Sequence, residues 1–116
     1  MKKVMLDCEI ASRFTLPALR MSVAMELYKM GMAQMHIADI LGVKQAAISD
    51  YLNGKLAPNI TEIAKDILSS GMAMAIAQKI FAAPSKDYAI SIIDEAASDG
   101  KFITIARSYA RKAGKI

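Results

Sequence analysis

Residues 34–54, QMHIADILGVKQAAISDYLNG, contain two short helical patterns separated by one glycine. The first pattern places three apolar side chains on a single helical face: Ile37, Ala38 and Leu41. Gly42 should end this helix, because glycine adopts the left-handed backbone of a helix stop at no steric cost. Val43 is placed to fill the gap that follows, and Lys44 leads into the next segment. We predict a helix, a tight turn and a second helix.

The second helix is predicted over Gln45–Leu52, with Asn53-Gly54 as its C-terminal stop. Its inner face carries Ile48, Tyr51 and Leu52, and its outer face carries Gln45, Ala46, Ser49 and Asp50. Small Ala38, flexible Gly42 and branched Ile48 suit two helices that cross steeply over a short turn. This pattern indicates a helix-turn-helix, whose second helix lies in the DNA major groove. The alternative is an ordinary helical hairpin inside a bundle, although its outer face would more often carry Lys and Glu.

The stretch resembles the helix-turn-helix of the lambda-repressor-like (Xre-type) regulators, including its ending Leu52-Asn53-Gly54. Residues 16–20 (LPALR), followed by Val23-Ala24 and Glu26-Leu27, resemble a group of predicted archaeal transcriptional regulators. Longer members of that group carry a sensing domain related to thiamine-phosphate synthase after the helix-turn-helix. The resemblance covers about residues 8 to 82 and implies a five-helix DNA-binding domain. It also implies that Gln34 contacts a backbone phosphate and braces Gln45.

Composition favours an all-α fold in a single small domain of 116 residues. Nine methionines and many alanines suit closely packed helices, and strand-like alternation is hardly visible. A hydrophobic fraction of 54% with 22% charged residues is high for a monomer of this size, which suggests further burial in a dimer. The composition therefore predicts an all-α fold, and the resemblance implies a lambda-repressor-like five-helix domain, to which residues 83–116 add C-terminal helices.

The chain divides into three predicted parts: residues 1–16, 17–82 and 83–116. Residues 2–14 form either a short helix or an extended arm, and a helix is expected from Pro17 to Met30, with proline in its first turn. The next helix begins near Ala33, which has no side chain to cap it, at a cost on the order of 1 kcal/mol. Asn59 and Glu62 stand at capping-box spacing for a fourth helix, and the fifth is Met72–Ala82.

Residues 83–116 should form two further amphipathic helices, the first of them capped by Ser85. Their apolar faces must pack on their own core, on a second subunit, or on both, and we favour a part in dimerisation. From Lys101 onward the sequence has five basic residues and no acidic residue. These bases either form a solvated helix end that suits the helix dipole or contact phosphate as a second element.

The remaining sequence signals favour a soluble cytoplasmic protein that uses no cofactor, metal or catalytic group. The net charge of +4 is compatible with a polyanionic partner, yet it is divided evenly, since residues 1–58 and residues 59–116 each carry +2. Cys8 is the only cysteine and is expected to be a small buried apolar residue, and the lone His36 is expected on the surface. The longest uncharged run is about 12 residues, too short to span a bilayer.

For DNA recognition, base contacts are expected from the outer face of the second helix. The Gln45 amide can bond adenine N6 and N7, Ser49 can donate or accept, and Ala46 offers a methyl group to thymine. Asp50 either accepts a hydrogen bond from cytosine N4 or is a solvated carboxylate paired with Lys or Arg.

Three flanking residues, Lys44, Asn53 and Lys55, would hold phosphates without reading sequence. Because one half-site of this size binds weakly, a homodimer on a palindromic operator with half-sites about 34 Å apart is expected.

A second function remains open at this stage: a helix-turn-helix adaptor, bridging or antitoxin-like, that binds protein partners without specific DNA recognition. Asp50, the missing cap at Ala33 and the even charge distribution all leave room for it. An enzyme is not expected, because one Cys and one His with no Gly-rich phosphate loop assemble no recognisable catalytic set. The operator, the sign of regulation and any small-molecule effector are not determined by the sequence.

Overall fold

A computed structural model describes residues 5–112 and residue 114, and this part of the chain is all α, with no strand. Eight α-helices and one π-helical segment follow each other in the order α1 (Asp7–Ile10), the π segment (Ala11–Thr15), α2 (Leu16–Lys29), α3 (Gln34–Leu41), α4 (Gln45–Leu52), α5 (Pro58–Ser69), α6 (Met72–Ala82), α7 (Lys86–Ala97) and α8 (Gly100–Lys112). No helix within these described residues has the length and apolar character needed to cross a membrane.

The first helical run is continuous from Asp7 to Lys29, so Pro17 lies inside it and the predicted helix start at Pro17 is wrong. Of the two conformations left open for residues 2–14, the chain adopts the helical one from Asp7; residues 2–4 lie outside the described part. The N–H of Leu16 donates to the carbonyl of Ala11, five residues back. A π turn of this kind moves the preceding carbonyls away from the proline ring, which would clash with them in a regular α-helix.

The core is built around α2, which contacts every helix from α3 to α7. Its fully buried side chains include Leu19, Val23 and Leu27, which recur every four residues as the sequence pattern predicted. Fully buried isoleucines from the surrounding helices complete this core: Ile37, Ile48, Ile63, Ile67 and Ile80. A helix surrounded in this way loses its amphipathic character, because almost every face meets another helix.

Helices α7 and α8 bury their apolar faces within their own chain. The former packs on α2 and α3, and the latter packs chiefly on α5 and on the π segment. Ala89, Ile93, Phe102 and Ala106 are all buried in the same cluster as the core of the preceding helices. Residues 83–112 therefore share one core with the rest of the described chain, which confirms packing on their own core, and the part in dimerisation stays a prediction.

Two predictions about helix starts had different outcomes. Ser85 caps α7 as predicted, because its Oγ accepts a hydrogen bond from the Tyr88 N–H over 3.4 Å. The capping box of Asn59 and Glu62 is wrong, since α5 begins at Pro58 and Ala57 occupies the cap position without any side-chain bond. Proline has the backbone angle of a first helical residue built in, so the helix starts there and Asn59 already lies inside it.

The expectation that Cys8 is buried is also wrong, because its side chain is exposed. It lies in the four-residue helix α1, where Ile10 takes the inward position and is fully buried. His36 is exposed, as predicted.

Candidate nucleic-acid interface

The turn between α3 and α4 is closed by backbone hydrogen bonds that depend on Gly42. This residue has φ 69°, in the left-handed region, as predicted. Its N–H donates to the Asp39 carbonyl over 3.3 Å, and the Val43 N–H donates to the Ala38 carbonyl over 3.0 Å. These two bonds form the Schellman arrangement, which satisfies carbonyls at the end of a helix and turns the chain sharply. The predicted bounds of both helices and the turn between them are confirmed.

Helix α4 has one buried face and one free face. Ile48 is 0% exposed and Tyr51 is 7% exposed, and in the described chain α4 contacts only α2 and α3. On the opposite side Gln45, Ala46 and Asp50 are exposed, while Ser49 is half-buried. Within the described residues, neither the Gln45 amide nor the Asp50 carboxylate has a hydrogen-bond or ion-pair partner. These groups are available to a ligand, and Asp50 lacks the Lys or Arg partner that one hypothesis gave it.

The Asn53 side chain, at the C-terminal end of α4, forms hydrogen bonds to Ser49 within that helix. Its Nδ2 donates to the Ser49 carbonyl over 2.9 Å and to the Ser49 Oγ over 3.4 Å. Because Ser49 accepts at its oxygen, its hydroxyl proton is left free to donate outward. These bonds hold Ser49 in place. The Oδ1 of Asn53 is the polar side-chain atom of that residue left for another contact.

The residues around the free face are placed as follows. Lys44 is the N-cap residue of α4 and is exposed, and Lys55 follows Gly54 and is exposed. Gly54 has φ 67°, and the Lys55 N–H donates to the Asp50 carbonyl over 2.9 Å, which anchors the loop to the end of α4. The two exposed lysines thus flank the free face of α4, one before its first residue and one beyond its last.

The start of α3 is uncapped, as predicted, since Ala33 occupies the cap position and provides no side-chain bond. Gln34 is the first residue of α3 and is half-buried. No hydrogen bond joins Gln34 to Gln45 in the described part of the chain, so the brace that the resemblance implies is not formed here.

Arg20 acts on the buried side of α4. Burial is the main cause that raises the pKa of the Tyr51 phenol, the positive charge of Arg20 opposes this rise, and the charge of Asp50 adds to it. Arg20 belongs to α2, the helix on which the buried face of α4 packs.

One face of α3 is covered in a way that sequence reasoning missed. Ile40 is only 2% exposed, although the predicted face comprised only Ile37, Ala38 and Leu41. It follows Ile37 by three residues and therefore lies at the edge of that face. His36, four residues before it on the same side, lines a hollow together with Phe81 and Pro84. Helix α7 packs on α3 beyond this hollow. The spacing of three residues from Ile37 to Ile40 was the available signal that the buried face of α3 is wider than predicted.

The basic C-terminal segment lies away from α3 and α4, since α8 contacts neither helix in the described chain. Arg107 is committed to an ion pair with Asp7 at 2.6 Å, and the Lys112 ammonium lies 5.2 Å from the centre of the Tyr109 ring. Lys115 is outside the described residues. The suggestion that this segment contacts phosphate as part of the same interface receives no support from its position.

Elsewhere, residues 5–112 offer an open groove but no metal site. There, no group of three or more His, Cys, Asp and Glu side chains is placed to hold a metal ion. An open groove of about 470 Å³ lies between α6, α7 and α8, lined by apolar side chains such as Ile76 and Phe102 and by the charged Lys79, Glu95 and Asp99.

No protein-family model, curated protein or solved structure matches this chain.

Proposed function

We propose that this protein is a sequence-specific DNA-binding transcriptional regulator that inserts α4 into the major groove and acts as a homodimer on a palindromic operator. The observation that carries the proposal is the free outer face of α4, where the Gln45 and Asp50 side chains have no partner among the described residues. The opposite face is anchored by buried Ile48 and Tyr51. A rigidly held helix with an uncommitted polar face suits direct recognition of base edges.

Each outer side chain has a chemical role in this proposal. Gln45, in the first turn of α4, enters the groove deepest and bonds an adenine through its amide. Ser49 donates from the hydroxyl that Asn53 holds in place, and Ala46 contacts a thymine methyl group. Asp50 accepts a hydrogen bond from cytosine N4, which favours one base while its charge lowers the general affinity for phosphate.

The phosphate contacts assigned in the proposal are those of Lys44 and Lys55, with Gln34 at the start of α3. Contacts of this kind fix the register of the helix and make binding strongly salt-dependent. The resemblance to lambda-repressor-like regulators supports the same assignment.

The homodimer is proposed because a single pair of helices reads too few bases for tight binding. Much of the apolar surface of α7 and α8 is buried within the chain, so we assign the subunit contact to apolar side chains that remain exposed. Met74 and Phe81 are 49% and 47% exposed, and a spacing of seven residues puts them on one face of α6. Analytical ultracentrifugation of the protein and of a Phe81→Glu variant tests this contact.

The test of DNA recognition is selection of bound duplexes from fragmented genomic DNA, repeated over a series of salt concentrations. We expect an inverted repeat whose half-sites lie about 34 Å apart, and loss of its enrichment in Gln45→Ala and Ser49→Ala variants. Ser108→Ala, at an exposed serine of α8, which contacts neither α3 nor α4, is the matched control and should leave the selected sequence unchanged. Steep salt dependence without any enriched sequence would replace the proposal with nonspecific, architectural binding.

A second candidate function, a protein-interaction adaptor, is favoured by Met35. This side chain is 70% exposed beside Gln34, where a phosphate-contacting surface would be expected to be polar. Together with the acidic Asp50 it suits a protein partner better than a nucleic acid. Failure of the protein to retain any DNA at low salt would favour this adaptor, and a Met35→Lys variant should then weaken the partner complex.

A further inference from the structure

Helix α7 approaches the α3–α4 turn at its glycine. Lys86 Cε and Ile90 Cδ1 each lie 3.4 Å from the position that a Cβ on Gly42 would take. The first turn of α7 thus lies against the turn, with both side chains at ordinary van der Waals distance from that position. Lys86 is exposed, so its aliphatic stem covers Gly42 while its ammonium group remains in solvent.

Two helices that begin near this turn are each headed by a lysine. Lys44 is the N-cap residue of α4, two residues after Gly42, and Lys86 is the first residue of α7. The N-terminus of a helix is already positive, so a lysine there opposes the helix dipole and does not serve helix stability. The sequence offers no hint of this pairing, because the two lysines belong to segments far apart in the chain.

The acidic residues close to the turn do not form ion pairs with Lys44 or Lys86 in the described chain. Asp39 and Asp87 are exposed neighbours of Gly42 and Lys86 along the chain, and Asp50 is further along α4. Within the described residues, neither Lys44 nor Lys86 forms an ion pair with any carboxylate. The surface at the turn therefore presents two free cations beside the entry of α4.

We propose that Lys86 binds a DNA backbone phosphate next to the one held by Lys44, which makes α7 part of the DNA-binding surface. This inference rests on the proposed function. A recognition helix enters the groove by its N-terminal residues, so the turn that precedes it lies at the groove edge, where the phosphates are. Packing of Ile90 on Gly42 holds α7 in register with this turn. The contact positions α4 and carries no base preference.

The experiment compares the salt dependence of operator binding for the full chain and for Lys86→Met, which keeps the aliphatic stem over Gly42 and removes the charge. Binding should weaken several-fold at low salt, and the slope of log K against log salt should decrease by about 0.9 for each subunit, the value of one phosphate contact. The selected sequence should not change. Lys86→Arg should retain the slope of the original protein, because it keeps the positive charge.

Lys101→Met is the matched control, since Lys101 is an exposed lysine on α8, which contacts neither α3 nor α4. Helical circular dichroism and the Tm establish that all variants are folded. If the original protein binds its operator and Lys86→Met has the same slope as Lys101→Met, the inference is overturned while the proposed function stands. If the original protein retains no DNA at low salt, the proposed function fails and the inference fails with it.

Discussion

Arg107 connects the end of the chain to its beginning: its Nη2 lies 2.6 Å from Oδ1 of Asp7, and its Nη1 donates to the Met5 carbonyl over 3.0 Å. The Arg107 side chain is 25% exposed, so the pair is partly shielded from water, whereas the Asp7 side chain is 74% exposed. A guanidinium can make both bonds at once because its donors are fixed in one plane. One base of the C-terminal segment is thereby used to hold α1 against α8.

Replacement of Arg107 by Gln should destabilise the protein by about 1–2 kcal/mol, because it removes a charged hydrogen bond to the backbone and a partly exposed ion pair. Chemical denaturation measures the loss, and faster hydrogen exchange in α1 should accompany it. Arg111→Gln, an exposed residue on the same helix, is the control and should change the stability by less than about 0.5 kcal/mol. Equal effects of the two substitutions would contradict the brace.

Removal of the Asn53 side chain should disturb DNA recognition through Ser49. Asn53→Ala deletes both hydrogen bonds to Ser49 and should weaken operator binding by about 1 kcal/mol or less, since each such bond contributes about that much. Because Asn53 acts through Ser49, the substitution should have little further effect in a Ser49→Ala background. A double-mutant cycle on binding free energies measures this coupling. Additive losses would mean that Asn53 contacts DNA independently.

A cap introduced at Ala33 should stabilise the protein. Ala33 has an extended backbone (φ −67°, ψ 147°), the conformation from which a serine hydroxyl accepts a bond from the N–H two or three residues later. Ala33→Ser should therefore raise the free energy of unfolding by about 1 kcal/mol. Ala57→Ser makes the same change at the uncapped start of α5 and should give a similar gain. Only the Ala33 variant should also tighten DNA binding, because the proposed phosphate contact of Gln34 is at the start of α3. An unchanged stability of both variants would argue against these cap assignments.

Alkaline pH should weaken the contact between α8 and α5. The Tyr109 hydroxyl donates to Asp66 Oδ2 over 2.7 Å, and this hydrogen bond is the largest cause of the raised pKa of Tyr109, with burial and the charges of Asp66 and Glu62 adding to it. A raised pKa in the folded state means that this bond stabilises the protein fully below the unfolded pKa of about 10. The stabilisation is then lost as the pH rises through the higher folded value.

Tyr109→Phe should accordingly cost about 1 kcal/mol or less near neutral pH, because the bond is exposed to solvent. The difference from the original protein should disappear as the pH rises through the raised folded pKa of Tyr109, and denaturation at a series of pH values measures it. Tyr88→Phe is the control, since the Tyr88 hydroxyl has no hydrogen bond within the described residues. A difference that persists unchanged after Tyr109 has ionised would contradict the role of the phenol proton.

Local signals in the sequence determined the helices and the turn at residues 34–54. The spacing of Ile37, Ala38 and Leu41 sets a helix face, and Gly42 and Gly54 stop the helices with φ values of 69° and 67°. Both effects act within one or two helical turns, which is why they can be recognised without knowledge of the rest of the chain. Local reasoning was wrong where two local signals competed, as at Pro58 and Asn59.

Only the tertiary structure decided which helices meet, and with them the surroundings of the candidate site. The approach of Lys86 to Gly42 and the bond from Arg107 to Asp7 both join residues far apart in sequence. A helical period of 3.6 residues says that a face is apolar, but it does not say which other face will cover it. That choice depends on how all the helices pack at once around α2. The polar outer face of α4 is therefore a property of the sequence. That no other described helix covers this face is a property of the fold.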